Sequence, residues 1–251
     1  SDGAKPLAVS QYFIRLTQRL ITALSAPTGE GQLYEIDMRL RPSGNAGPLA
    51  TQYQTFVNYQ KDQAWTWERM ALTRARPICG DNGLCSLMRT TINDAISDQD
   101  PDVLKSDAAD MLAKIHDAKP PSHIWDVKTA AGGVVDIEFI AQVLQLQNVG
   151  TFPEILLGNT RAALSKAVEL ELIPSLDGEL LVEAHRFYEG LQQLIRMAFD
   201  GGESRTDFLQ QPGFLPILIR SCELPDIAQI EAQLNTYQSD VADVVKRFFA
   251  R

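Results

Sequence analysis

From Asp226 to Phe249 the apolar residues recur at steps of three and four: Ile227, Ile230, Leu234, Tyr237, Val241, Val244 and Phe248. That spacing keeps one stripe of a helix apolar and the rest polar, and such a stripe must be buried against other elements. Partners of the same kind lie upstream. Val134 to Asn148 predicts a helix. Asn159 or Thr160 caps another running to Glu171, with Leu164, Ala167 and Val168 inside, and Asp177 caps a third from Gly178 to Ala198. The stripe of that third helix is Leu181, Ala184, Tyr188, Leu191, Ile195 and Ala198. A shorter helix is expected from Phe214 to Cys222, after a solvated loop over Asp200–Arg205. Long elements of one periodicity predict an antiparallel helical bundle over residues 131–251, with strands confined to residues before Gly133.

The first half is mixed. Val9, Phe13, Leu16, Leu20 and Leu24 predict a helix over residues 7–25, which Ala26-Pro-Thr-Gly-Glu-Gly31 ends. Helices are also expected over Thr51–Tyr59, Ala64–Ala75, Leu84–Ile96 and Asp102–Ala118, the last stopped by Lys119-Pro-Pro-Ser122. Ile124–Lys128 reads as a short strand. A helix that feeds a strand through a Gly/Pro loop fits part of an α/β unit. The predicted fold class is therefore mostly α with a small β part, divided in the Lys119–Gly133 segment into domains of residues 1–130 and 131–251.

The main β element is Leu33 to Arg41, which alternates with period two. Tyr34, Ile36, Met38 and Leu40 share one face, and Glu35, Asp37, Arg39 and Arg41 the other. A carboxylate beside two guanidinium groups suits a site that holds a divalent metal and a polyphosphate together. The same alternation also suits an amphipathic edge strand with solvated charges. Pro42 ends the strand, and Ser43-Gly-Asn-Ala-Gly-Pro48 follows as a tight turn whose glycines can bring backbone N–H groups close to a ligand.

Further basic residues follow at once. Glu68, Arg69, Arg74 and Arg76 lie on or just after a helix with no clean polar side, and either close over phosphates held by the strand or pair within the helix. Gly132-Gly133 before the Val134 helix is a geometry that offers backbone donors to an anion. Asp136 and Glu138 in its first turn complement the helix dipole whether or not they do chemistry.

Composition excludes other classes. No apolar run approaches ~18 residues, so no membrane-spanning helix is expected, and no basic-then-apolar leader is present, so the chain is placed in the cytoplasm. Residues 134–251 carry 17 acids and 9 bases, net −8, within a chain of net charge −9. That balance argues against nucleic-acid binding. Cys79, Cys85 and Cys222 match no zinc spacing and read as reduced, while His116, His123 and His185 form no ligand pair.

The segments Tyr34-Glu-Ile-Asp-Met-Arg-Leu-Arg-Pro-Ser-Gly44, Gly47-Pro-Leu49, Ala64-Trp-Thr-Trp-Glu68, Ala71-Leu-Thr-Arg-Ala-Arg76 and Lys128 through Gly132-Gly-Val-Val-Asp-Ile-Glu-Phe139 together resemble glutamine synthetase adenylyltransferase. The resemblance runs from about Leu33 to the C-terminus, and Ala64–Glu68 is more similar to the AMP-adding half of that family than to the AMP-removing half. It implies an incomplete nucleotidyltransferase-fold α/β portion followed by the helical bundle, and transfer of AMP from ATP to a tyrosine of glutamine synthetase with Mg²⁺. Asp37 would match the third metal-binding carboxylate, and Arg39, Arg41, Glu68, Arg74, Arg76 and Lys128 would serve the nucleotide. Glutamine synthetase is the implied partner, with a PII-type nitrogen signal protein as a further one. The family opens its site with a Gly-Ser pair and two earlier aspartates. No Gly-Ser dipeptide occurs here, so the chain by itself is expected to lack the first two metal ligands and to be incomplete for catalysis. The alternative is a non-catalytic helical module that docks glutamine synthetase or a regulatory signal protein.

Overall fold

The computed structural model describes residues 7–29, 31–32, 35–97, 99–198, 209, 211 and 213–250. Leu33 and Tyr34, at the start of the expected strand, and the whole Asp200–Arg205 loop lie outside these residues. The chain forms two compact units, residues 1–71 with 77–95, and residues 72–76 with 96–251. The chain passes into the second unit over Leu72–Arg76, returns, and enters it again at Ile96.

In the first unit, α1 (Val9–Ser25) follows its predicted stripe but buries none of it, and Val9, Phe13, Leu16 and Leu20 are each at least 48% exposed. β1 (Pro27–Thr28) and β2 (Gly31–Gln32) pair antiparallel, with Pro27 opposite Gln32 and Thr28 opposite Gly31. They are the only strands among the described residues. The expected strand over Leu33–Arg41 is absent from the described part of that segment: residues 35–38 are irregular and Arg39–Leu40 form a turn. A strand needs a neighbour for its N–H and C=O groups, and no described segment offers residues 35–41 an edge. A 3-10 turn, Gly44–Ala46, follows, and then α2 (Tyr53–Asp62), α3 (Thr66–Leu72) and α4 (Asn82–Ser97).

The second unit holds α5 (Pro101–Ala118), α6 (Val134–Asn148), α7 (Thr160–Glu169), α8 (Ser175–Ala198), α9 (Phe214–Cys222) and α10 (Ile227–Ala250). Asp100 caps α5 by accepting from the N–H groups of Asp102 and Val103, as Ser/Asp-rich helix entries do. The centre of the bundle is α6, which packs against α5, α7, α8 and α10. Read as one amphipathic helix among several, α6 is in fact buried on most sides: Ile137, Ile140, Ala141, Val143, Leu144 and Leu146 are at most 3% exposed. A helix surrounded by helices needs no polar face. Around it, Leu104, Ala108 and Leu112 of α5, Leu164 and Ala167 of α7, Leu181, Ala184, Tyr188 and Leu191 of α8, and Ile230, Leu234, Val241 and Val244 of α10 are buried. Each large apolar side chain so buried stabilises by about 1.5–3 kcal/mol before the loss of chain entropy. Because α5 covers one side of α6, the bundle begins well before residue 131.

The expected strand at Ile124–Lys128 is a succession of turns instead. Trp125 and Val127 are buried two residues apart, which mimics strand alternation. Their backbone has another use: the carbonyls of Val127 and Lys128 accept from the N–H groups of Val134 and Val135, at 2.8 and 3.1 Å. The segment thus satisfies the open donors at the start of α6. No described helix is long and apolar enough to cross a membrane.

Candidate functional site

The charged stretch forms a loop fastened by its own arginine. Arg41 donates from Nη1 to the Met38 carbonyl, from Nε to that of Gly47 at 3.2 Å, and from Nη2 to that of Asn45 at 3.3 Å. A planar fork of donors matches three carbonyls converging in a tight turn. The expectation that Arg41 faces phosphate beside Asp37 therefore meets a competing role, since these donors are already engaged inside the loop. The turn is close enough that a Cβ on Gly47 would lie 2.0 Å from the Pro42 carbonyl oxygen. Ser43 sits in the left-handed region at φ 61° and ψ 18°, a conformation that a non-glycine residue keeps only when its surroundings impose it.

Those surroundings are Tyr59 and Glu68. The Tyr59 hydroxyl donates to Glu68 Oε1 at 2.8 Å and lies near the Ser43 backbone. Glu68, 8% exposed, also accepts the Trp65 N–H at 3.0 Å. This is the backward reach of a glutamate three residues into a helix, and it caps α3. Glu68 is thus anchored within the protein, and its nearest hydroxyl partner belongs to Tyr59. Arg69 donates to the Gln60 carbonyl at 3.0 Å.

Asp37 and Arg39 are differently placed. Arg39 grips the Asp37 carboxylate through Nε at 2.9 Å and Nη2 at 2.6 Å to Oδ2, and its own N–H bonds Oδ1 at 2.9 Å. The pair stands in solvent, with side chains 75% and 54% exposed. The side-chain and backbone hydrogen bonds from Arg39 hold the Asp37 carboxyl down to about 2, against an ordinary 3.8. Asp37 is therefore a carboxylate at every physiological pH. Its hard oxygen atoms have the chemistry of a Mg²⁺ ligand. No group of three or more potential ligand side chains is gathered for a metal among the described residues, so no complete metal site surrounds Asp37 there.

The remaining expected residues lie in the second unit. Arg74 donates to Thr160 Oγ1 at 2.6 Å and pairs with Glu138 Oε1 at 3.1 Å. Arg76 and Lys128 are exposed. The Gly132-Gly133 turn is not an open anion cradle, because Asp136 itself fills it. Asp136, 1% exposed, accepts the Gly132 N–H at 2.7 Å and meets His116 Nε2 at 2.7 Å, while Tyr188 donates to the Gly132 carbonyl at 3.1 Å. Gly132, at φ +75°, lies so near α10 that a Cβ would meet the Gln238 carbonyl oxygen at 1.9 Å. Burial pushes the Asp136 carboxyl up, opposed in part by the Gly132 N–H and His116. A residue reading could have found Glu68 from the Trp65-x-x-Glu68 capping spacing. His116, Tyr188 and Gln238 reach the motif from distant helices and leave no local signal.

Comparison with known proteins matches these two parts separately. Residues 1–88 match the family model described as glutamate-ammonia ligase adenylyltransferase, and residues 109–249 match that of GlnD PII-uridylyltransferase. The bifunctional glutamine synthetase adenylyltransferase/adenylyl-removing enzyme of Brucella suis is 48% identical over 237 residues, covering 93% of this chain and 24% of the relative. Its counterpart in Xanthobacter autotrophicus is 41% identical over 248 residues, covering 98% and 25%, and that of Mesorhizobium japonicum is 43% identical over 240 residues, covering 93% and 23%. The chain spans about a quarter of the length of these relatives. With both the loop motif and the helical part matched, the chain belongs to the glutamine synthetase adenylyltransferase family.

Proposed function

We propose that the chain forms part of an adenylyltransferase that moves AMP from ATP to a tyrosine of glutamine synthetase. In that reaction the tyrosine oxygen forms a bond to the α-phosphorus, the bond from that phosphorus to the β-bridging oxygen breaks, and pyrophosphate leaves as the hydroxyl proton is lost. The protein's share of such chemistry is placement and neutralisation of charge. The observation that carries the reading is the Asp37–Arg39 pair, which stands exposed on a loop held rigid from within. Mg²⁺, when bound, would neutralise phosphate charge, and Asp37 would be one of its ligands. Arg39 would then exchange its carboxylate for phosphate oxygens, the same bidentate geometry with a different anion. In the second unit Arg76 and Lys128 are exposed cations, and Arg74 is engaged by Glu138.

Asp37→Asn in the full-length enzyme tests this. AMP transfer to glutamine synthetase is expected to fall at least about a hundredfold, with an unchanged melting temperature, because an exposed ion pair contributes little to stability. A loss of tenfold or less removes Asp37 from the metal site.

The second reading is a docking role for the bundle toward glutamine synthetase or a PII-type signal protein. It is favoured by the match of residues 109–249 to a PII-uridylyltransferase family and by the internal satisfaction of Asp136, His116 and Arg74. Titration calorimetry of this chain with ATP and Mg²⁺ separates the two. Saturable heat supports a nucleotide surface, and silence leaves the docking role.

A further inference from the structure

The bundle contains a cavity of about 330 Å³ where α5, α6, α10 and the turn between α7 and α8 meet. Its floor is apolar: Leu144, Ile173 and Val244 are 3%, 6% and 1% exposed. Phe248 forms one wall, and Lys105 of α5 reaches across so that Nζ stands 4.8 Å from the ring centroid. At the rim, Arg247 donates to Asp177 at 2.7 Å. Two cations and one carboxylate therefore line the space, and among the described residues no carboxylate pairs with Lys105.

We propose that this cavity binds a small organic monoanion, its charged head on Lys105 and its apolar body on Leu144, Ile173 and Val244. The volume lies at the lower end of the range, about 300–1,000 Å³, in which proteins hold small molecules. The floor requires an apolar portion, since a fully hydrated ion gains nothing from buried aliphatic carbon. The surplus positive charge selects a single negative one, and a ligand cation would face Lys105 and Arg247 together. The ring beneath Lys105 stabilises the ammonium by its quadrupole without neutralising it, so the charge stays available to an anion. This site is independent of Asp37 and of the reading built on it.

Hexanoate is a suitable probe, with hexan-1-ol and hexylammonium as controls of equal length. In the methyl-labelled chain followed by NMR, hexanoate is expected to shift the Ile173, Leu144 and Val244 methyl signals saturably. Hexan-1-ol should bind at least tenfold more weakly and hexylammonium should leave these signals in place. Lys105→Met keeps the aliphatic stem and removes the charge. It should raise the hexanoate Kd at least tenfold and leave that of hexan-1-ol unchanged, and Lys105→Arg should retain binding. Equal affinity for hexanoate and hexan-1-ol, unshifted floor methyl signals, or indifference of hexanoate to Lys105→Met would overturn the proposal.

Discussion

Asp37 and Asp136 are the same side chain in opposite circumstances. Asp37 stands in water, its charge held by one neighbouring arginine, and its carboxyl lies at about 2. Asp136 is buried on α6, bound by a backbone N–H and a histidine, and burial pushes its carboxyl up. Both fall in motifs that resemble one enzyme family, and both could be taken for catalytic acids. Their surroundings separate them. A carboxylate open to solvent with one exchangeable partner can accept a ligand at the cost of one exposed ion pair. A buried carboxylate held by a turn N–H and by a histidine from another helix cannot change partners without leaving donors unsatisfied. Of these two motifs, the loop is the one proposed to take a ligand, and the double-glycine turn is a structural joint.

The difference can be broken most forcefully at the joint. Gly132→Ala introduces a Cβ 1.9 Å from the Gln238 carbonyl at a φ of +75°, and we expect a loss of about 4 kcal/mol or more in denaturant unfolding. Gly150→Ala, where a Cβ meets nothing within 4 Å, is the control and should change stability little. If both variants unfold alike, the turn is not the joint inferred here.

Asp136→Asn sharpens the comparison. It retains one acceptor for Gly132 but alters the contact with His116, and a cost of about 1–3 kcal/mol is expected. The pH dependence has a definite sign. A carboxyl raised above its unfolded value of 3.8 binds its proton more tightly in the folded state. Its stabilising contribution is present below 3.8 and is lost as pH rises through the folded-state value. The stability of the unsubstituted protein minus that of Asp136→Asn should therefore decline as pH rises from about 4. A difference that grows with pH would mean that Gly132 and His116 outweigh desolvation.

The smallest effect belongs to the loop. Tyr59→Phe removes the hydroxyl between Glu68 and Ser43 and should cost about 1–2 kcal/mol, with faster amide exchange over residues 43–47. Unchanged exchange there would show that Arg41 alone holds the turn.

Much of the architecture could be read from residue order. The periodicity of α7, α8 and α10 marks most of the side chains that are buried there, and α6 begins and ends at the predicted Val134 and Asn148. Asp100 and Asn159 cap α5 and α7 as their positions suggest. These features are local: a helix satisfies its own backbone, so spacing and caps within one segment suffice to specify it. The charges of the loop motif were equally plain.

What those charges touch was decided by the fold. Arg41 turned inward on three carbonyls, Glu68 on Tyr59 and a helix start, Arg74 on Glu138, and Asp136 on a glycine and a histidine from another helix. The strands expected at Leu33–Arg41 and Ile124–Lys128 fail for the same reason. A strand, like a buried charge, is completed only by groups distant in the chain. Period-two alternation can announce a strand, but only a neighbouring edge can make one.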